Sequence, residues 1–550
     1  MKMKMKKIIV SLIFGALTHY AHSTELVDID VQNNLEGSLD PTVYGYESSR
    51  PILCVKTSKG TLIISPGQKA VLRGGTPDDN GVLQNWYNAD VRLNGCDVAR
   101  DPYVGYLGIG TNEVKFSSSA DLLNRMEIVN AKKTATSITG KLSYIPITEN
   151  FSKVLHPRTD INRKLTYIGI NLSGAEFGKT ISPNSMPDLS AADDNSGKKP
   201  GLDLVSMYDN RDSNQDRGYI PAGINTVRLP IRWEYLELLT LPSTINEPNW
   251  KWNDAYWNAF IAPTLVTLTN AGIHTILDLH SYLHYSPYGT GVSGCLNEII
   301  KCPDGTLDLN KDHYIKVWMD ILEKVKANTK IKEENLMFDL INEPAANKKG
   351  DTIETLSPQQ AFDVEVAVAK QLQANGFAGK ILLEGANWTG LHSWNESVDD
   401  HAANAVVFTK ANLINRGITF NEYSNNVLIN VHQYFDDDFS GTKDSCLSNL
   451  KSKGKNGFNT AAFAKWLKEQ NLKAIVTEFG TSRHAEESCQ PILKEFVQYL
   501  TRNAVKESDL EGGFVGATLW ATGHDWGDYN LLFSPETYQF KTLMNNAITR

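Results

Sequence analysis

The spacing of apolar and polar residues divides the chain in two. From Thr24 to about His156, apolar and polar positions alternate in short runs such as Gly60-TLIISP, Lys69-AVLRGG and Thr136-SITGKLSYIPI, bounded by Gly, Pro, Asn and Asp. Alternation with period two between turn formers predicts strands, and no amphipathic helix interrupts them. Residues 24–160 are therefore expected to form a small all-β accessory domain of sandwich or barrel type. No Ser/Pro-rich linker follows, which predicts direct packing on the next domain rather than a tether.

Beyond about residue 160 the rhythm becomes strand, helix, strand, helix. Eight near-continuous apolar runs stand out: YIGINLSG (167–174), TVRLPI (226–231), TILDLH (275–280), LMFDLINEP (336–344), ILLEGAN (381–387), VLINVHQY (427–434), AIVTEFG (474–480) and GATLWATG (516–523). Runs of this kind suit parallel strands buried on both faces. Helical periodicity appears between several of them, over 257–271, 314–327, 358–374, 460–469 and 490–504, and again over 535–548. The fold class is accordingly α/β. Eight such units within 161–550 predict a (β/α)8 TIM barrel with enlarged loops. An open doubly wound sheet is disfavoured because no Gly-rich phosphate turn follows the first strand.

Composition adds the compartment. MKMKMKK, an apolar run IIVSLIFGAL and Ala21-His22-Ser23 make the three parts of a secretory signal over residues 1–23, too short to span a bilayer. Its removal takes four lysines and no acid, deepening the formal charge from −9 to −13. That balance, with no block of like charge, speaks against a nucleic-acid partner. A secreted protein with no membrane association after signal removal is expected, with a monomer as the default. Six cysteines without a CxxC pair fit disulfides in that compartment, and the sequential pairing 54–96, 295–302 and 446–489 is preferred.

In a barrel of this kind the chemistry sits at the C-terminal ends of the strands. Those ends carry Glu176, Arg228, His280, Asn342-Glu343, Asn387-Trp388, His432 with Tyr434, Glu478 and Trp520. One polar strand end is commonly a cap, but eight converge on one pocket. Glu343 and Glu478, on the fourth and seventh strands, can face each other across the mouth. Two carboxyl groups ~5–5.5 Å apart are what a retaining glycosidase needs. Trp233, Tyr282, Trp388, Trp394 and Trp526 are candidate walls for sugar rings, whose C–H faces stack on aromatic planes. Neither His280 and His284 nor the acidic run 436–438 has metal-ligand spacing, so no metal and no cofactor is expected. The GxSxG elbow of a serine hydrolase is missing.

LINEP (340–344), VHQYF (431–435) and VTEFG (476–480) resemble the motifs of family 5 glycoside hydrolases, retaining endo-acting barrels. VHQYFDDDFSGTKDSC (431–446), NLKAIVTEFGT (471–481), GINLSGAEFG (169–178) and TVRLPIRWEYL (226–236) extend the likeness to the fungal-type endo-β-1,4-glucanases, or cellulases, over residues 165–550. The resemblance implies Glu343 as acid/base and Glu478 as nucleophile. It implies Asn342 on the sugar 2-hydroxyl, Arg228 against Glu478, His280, His432 and Tyr434 around both carboxylates, and Trp520 as subsite floor. Ser281 and Phe479 stand where the pattern more often has Asn and Thr. The expected activity is hydrolysis of internal β-1,4-glucosidic bonds in a polysaccharide, a β-glucan. β-Mannan and xyloglucan are rival substrates, and a non-catalytic carbohydrate-binding or adhesion protein is the rival class. Tyr44, Tyr46, Trp86, Tyr87, Tyr103 and Tyr106 could serve a binding module in residues 24–160, but the missing linker favours a structural cap.

Overall fold

In a computed structural model the chain separates into two compact units, Met1–Glu149 and Asn150–Arg550. The structure describes residues 157–177, 218–240, 249–285, 311–344, 356–421, 426–452 and 461–549, a few positions inside these ranges excepted, and elsewhere only the backbone of short strands. The segment 1–23, the pairings 54–96 and 295–302 and the six aromatic residues named between 44 and 106 lie outside the described residues. In the first unit, strands at Asp28–Gln32 and Lys69–Arg73 pair antiparallel. Five further strands form an antiparallel sheet, and Met126–Lys133 pairs with Ile138–Tyr144.

The second unit is built on a closed barrel of eight parallel strands. They are β1 (Tyr167–Ser173), β2 (Thr226–Ile231), β3 (His274–Leu279), β4 (Leu336–Asp339), β5 (Lys380–Glu384), β6 (Val427–Tyr434), β7 (Lys473–Gly480) and β8 (Gly513–Gly523). All eight apolar runs are strands, and β1 closes the ring by pairing with β8, Tyr167 opposite Gly516. Run 336–344 is strand only as far as Asp339, which leaves Asn342 and Glu343 on the loop above β4.

Helices α1 (Ala262–Asn270), α2 (Lys311–Ala327), α3 (Pro358–Ala374), α4 (Ala461–Gln470), α5 (Glu486–Arg502) and α6 (Tyr538–Ala547) match the periodic segments within a few residues. The start of the first is a wider π-type turn, Trp257–Ile261. Helix α3 begins where predicted because Ser357 accepts from the Gln360 amide while the Gln360 side chain accepts from Ser357 N–H.

Inside the ring the side chains stack in layers, since every second residue of a strand points the same way. Tyr167, Ile276, Met337, Leu382, Leu428, Ile475 and Val515, one from each of seven strands, fill the N-terminal end as an apolar plug. One step further along, Asp278, Asp339, Glu384, Asn430 and Thr477 replace them, joined by Asn171, Arg228 and Thr518, all fully buried. The site rests on this polar layer. Among the described residues no helix is long and apolar enough to cross a membrane.

Candidate active site

Arg228, fully buried on β2, organises the polar layer. Its Nη1 donates to Glu478 Oε1 at 2.5 Å and to Asn171 Oδ1 at 3.2 Å, and its Nε donates to Asp339 Oδ2 at 2.8 Å. Nη2 donates to Asn342 Oδ1 at 2.8 Å and lies 3.1 Å from Asp278 Oδ2. Glu478, at the upper part of β7, also accepts from the Tyr434 hydroxyl at 2.7 Å. Burial alone would push its carboxyl up. The charges of His432, Arg228 and His280, with the Tyr434 bond, outweigh that and hold it at about 2. Asp339, deeper in the barrel, is pushed by burial up to about 6 despite Arg228.

Glu343 stands across the mouth. Its backbone is in the left-handed region at φ 46°, a conformation that costs a non-glycine residue ~1–3 kcal/mol. Its N–H donates to Glu384 Oε2 at 2.6 Å. Its side-chain oxygen Oε1 lies 2.8 Å from His432 Nδ1, and one oxygen each of Glu343 and Glu478 and a ring nitrogen of His432 all lie within 4.8 Å of one another.

The tautomer of His432 follows from its neighbours. The Thr477 N–H donates to Asn430 Oδ1, which fixes that amide, and the Thr477 hydroxyl donates to the same oxygen at 2.7 Å. The Thr477 oxygen can then only accept from His432 Nε2, at 2.9 Å. Nε2 therefore carries a proton, and Nδ1 is left to share one with Glu343. Burial works against a charged His432, but the facing Glu478 and Glu384 carboxylates raise its pKa well above the ordinary value.

The two glutamates lie in a cleft of about 520 Å³. His280, Tyr282, Trp388, His432, Tyr434 and Trp520 line it with them. Trp520 lies parallel to the His280 ring, centroids 5.4 Å apart, and its Nε1 donates to Tyr529 Oη at 3.1 Å. His280 Nδ1 is 2.8 Å from Asp278 Oδ2, and that carboxylate raises the His280 pKa against the effect of burial. Trp388 is half exposed, at 49 %, within three consecutive left-handed residues, Asn387, Trp388 and Thr389. Tyr434 packs over Gly441, where φ is 71° and a Cβ would lie 2.8 Å from the ring, so glycine lets the loop pass beneath it.

Three of the five candidate sugar-stacking rings are core instead. Trp233 is fully buried and donates to Glu237, Trp394 packs among Phe408, Phe463 and Trp466, and Trp526 is buried behind Trp520. Only Tyr282 and Trp388 of that group reach the cleft. Glu176 is likewise buried, accepting from Gly174 N–H rather than facing the cleft. Ser281 turns away from it, its oxygen accepting from Trp233 N–H, and Phe479 packs on Phe496 in the core. The reading of strand ends missed Glu384, Asp339, Asp278 and Asn430. Their signal is a charge or amide inside a continuous apolar run, as in TILDL, LMFDL and ILLE.

The trio Glu343, His432 and Glu478 has the spacing of a metal site. The Arg228 guanidinium already neutralises Glu478 at 2.5 Å, which leaves this donor set short of the negative charge a cation needs.

The cysteine pairing 446–489 is present, with Cα atoms 5.1 Å apart, and ties the loop after β6 to helix α5.

The family model of cellulase (glycosyl hydrolase family 5) matches residues 195–508. The chain belongs to this family. Among its curated relatives, Endoglucanase 1 of Robillarda sp. (strain Y-20) is 30 % identical over 277 residues, 50 % of this chain and 60 % of that enzyme. Endoglucanase 1 of Saitozyma flava is 26 % identical over 368 residues, 67 % of this chain and 84 % of that enzyme. A solved endo-β-1,4-glucanase from Xanthomonas axonopodis pv. citri superposes with a TM-score of 0.48 at 24 % identity, covering 70 % of this chain and 98 % of that one. The family match stops at residue 508, so Trp520 on β8 enters the site through the barrel rather than through the matched segment.

Proposed function

We propose that this family 5 cellulase is a secreted, retaining endo-β-1,4-glucanase acting on cellulose or a related β-glucan. The carrying observation is the pair of carboxyl groups in one cleft, one held ionised by Arg228 and Tyr434, the other within 4.8 Å of it and joined to a histidine. That separation suits a retaining pair and leaves no room for the water that an inverting pair, ~6.5–9.5 Å apart, must hold between its carboxyls.

In the proposed reaction Glu478 attacks the anomeric carbon while Glu343 gives its proton to the departing glycosidic oxygen. The C–O bond to the leaving chain breaks, and an ester to Glu478 forms. The Glu343 carboxylate then takes a proton from water, whose oxygen attacks the anomeric carbon and releases Glu478. Asn342 suits the 2-hydroxyl, since Arg228 fixes its Oδ1 and its Nδ2 has no hydrogen-bond partner among the described residues. Trp520 offers a flat floor, with Trp388 and Tyr282 as walls. Residues 24–160 are read as an all-β accessory domain that does not itself bind cellulose.

Glu478→Ala and Glu343→Ala are each expected to abolish polymer hydrolysis, and azide is expected to restore turnover to Glu478→Ala as an inverted glycosyl azide. Substantial hydrolysis by Glu478→Ala without an added anion refutes the roles. A panel of carboxymethyl-cellulose, β-glucan, xyloglucan and mannan tests the substrate. Preference for mannan overturns the glucanase reading and leaves the mechanism standing.

A further inference from the structure

Glu384 is fully buried at the end of β5 and absent from the cleft wall; burial and the neighbouring Asp339 carboxylate push its carboxyl up, while donors on both of its oxygens favour the ionised form. Its Oε2 accepts the Glu343 N–H at 2.6 Å, and its Oε1 accepts from Asn430 Nδ2 at 2.7 Å. His432 Nε2, protonated for the reason given above, lies 3.3 Å from Oε1, and Arg228 Nη2 lies 3.6 Å away. From outside the barrel, Glu365 on α3 accepts the backbone N–H of Glu384 at 2.8 Å and so holds the strand end in place. Asp339 is the remaining charged group, sharing the Asn430 amide.

We propose that Glu384 is a positioning residue for the acid/base: one oxygen grips the strained backbone of Glu343, and the charge of the other helps hold the proton that Glu343 shares with His432. The proposal rests on the glycosidase reading given above. Two consequences follow, and they separate. The grip keeps Glu343 at φ 46°, aiming its carboxyl across the cleft toward Glu478. The charge resists loss of the shared proton, because departure of a proton from beside a buried carboxylate leaves one more uncompensated negative charge.

Removing the charge while keeping the shape should therefore let that proton go at lower pH. In Glu384→Gln the alkaline limb of the kcat/KM profile is expected to move down by about one pH unit. kcat on polymer should fall on the order of tenfold to hundredfold, part of the ~10²–10⁴ a general acid/base supplies. KM should stay within about twofold, since Glu384 does not line the cleft. The loss should shrink on 2,4-dinitrophenyl β-cellobioside, whose leaving group departs without protonation. Glu384→Asp keeps the charge and loses the reach, so its kcat should fall with the alkaline limb unmoved.

Wild-type kcat and an unmoved limb in Glu384→Gln overturn the proposal, as does an equal loss on polymer and on the activated glycoside. Failure of both variants to fold assigns Glu384 to structure alone and overturns it too. Wild type and Glu343→Ala run beside them keep the two readings apart. An inactive wild type removes the glycosidase reading, whereas an active wild type, a dead Glu343→Ala and an unaffected Glu384→Gln remove only this one.

Discussion

Replacing Arg228 by Met takes one charge out of the polar layer and leaves its carboxylates behind. Glu478, at about 2 against an ordinary 4.5, binds fewer protons folded than unfolded between those values. Its stabilisation is thus present above about pH 4.5 and lost as pH falls toward 2. At ~1.4 kcal/mol per pH unit the interval is worth about 3 kcal/mol, supplied by His432, Arg228, His280 and Tyr434 together. A unit charge ~4 Å away at an effective dielectric of ~20 interacts by about 4 kcal/mol, so Arg228 carries a large share against the penalty of burial. Arg228→Met should lose about 3–5 kcal/mol at pH 7, the cost of breaking a buried pair from one side. The loss should be smaller at pH 4, where Asp339, at about 6 even with Arg228 present, is already protonated. Denaturant unfolding at the two pH values measures both. The acid limb of kcat/KM, set by ionisation of the nucleophile, should rise by about one to two pH units. Equal destabilisation at pH 4 and pH 7 together with an unmoved acid limb would refute the reasoning.

Trp388→Ala should raise KM for cello-oligosaccharides on the order of tenfold, the worth of one stacked ring, and leave unfolding unchanged because the ring is half exposed. Steady-state kinetics and a melting curve check it. Loss of the Cys446–Cys489 bridge in Cys446→Ala/Cys489→Ala, whose partners are 43 positions apart in sequence, should cost about 3–4 kcal/mol in denaturant unfolding. Trp86→Ala in the full chain should adsorb to insoluble cellulose as wild type does; clear adsorption by wild type that the variant lacks would make residues 24–160 a binding module.

The barrel was legible because eight short apolar runs, as parallel strands buried on both faces leave, alternate with segments of helical period. The loop position of Glu343 was not, since LINEP continues the apolar pattern past the point where β4 ends at Asp339. Trp233 and Trp394 misled for a related reason. Indoles near strand ends look alike in sequence, and only packing separates a ring under a helix from a ring over a cleft. The polar layer was written in the sequence as single charges two residues beyond an apolar plug residue, Ile276 and Asp278, Met337 and Asp339, Leu382 and Glu384. Reading only strand ends passed over them, because their work is done one layer below the mouth.

That layer also separates the two glutamates chemically. Glu478 receives Arg228 Nη1 on one oxygen and the Tyr434 hydroxyl on the other, both donors fixed by burial. A carboxylate so held is a poor proton carrier and a well-oriented nucleophile, because giving up ionisation would strand a guanidinium. Glu343 meets a histidine through Nδ1, the one nitrogen in the layer free to give or take a proton, and its side chain is 16 % exposed. A group whose single strong partner can reverse its role can pass a proton out and take one back within a catalytic cycle. The proposed division of labour therefore follows from which partners can exchange a proton. Exchanging His432 for Asn, which cannot be protonated, should slow polymer cleavage far more than cleavage of an activated aryl glycoside, and equal slowing of both would break the argument.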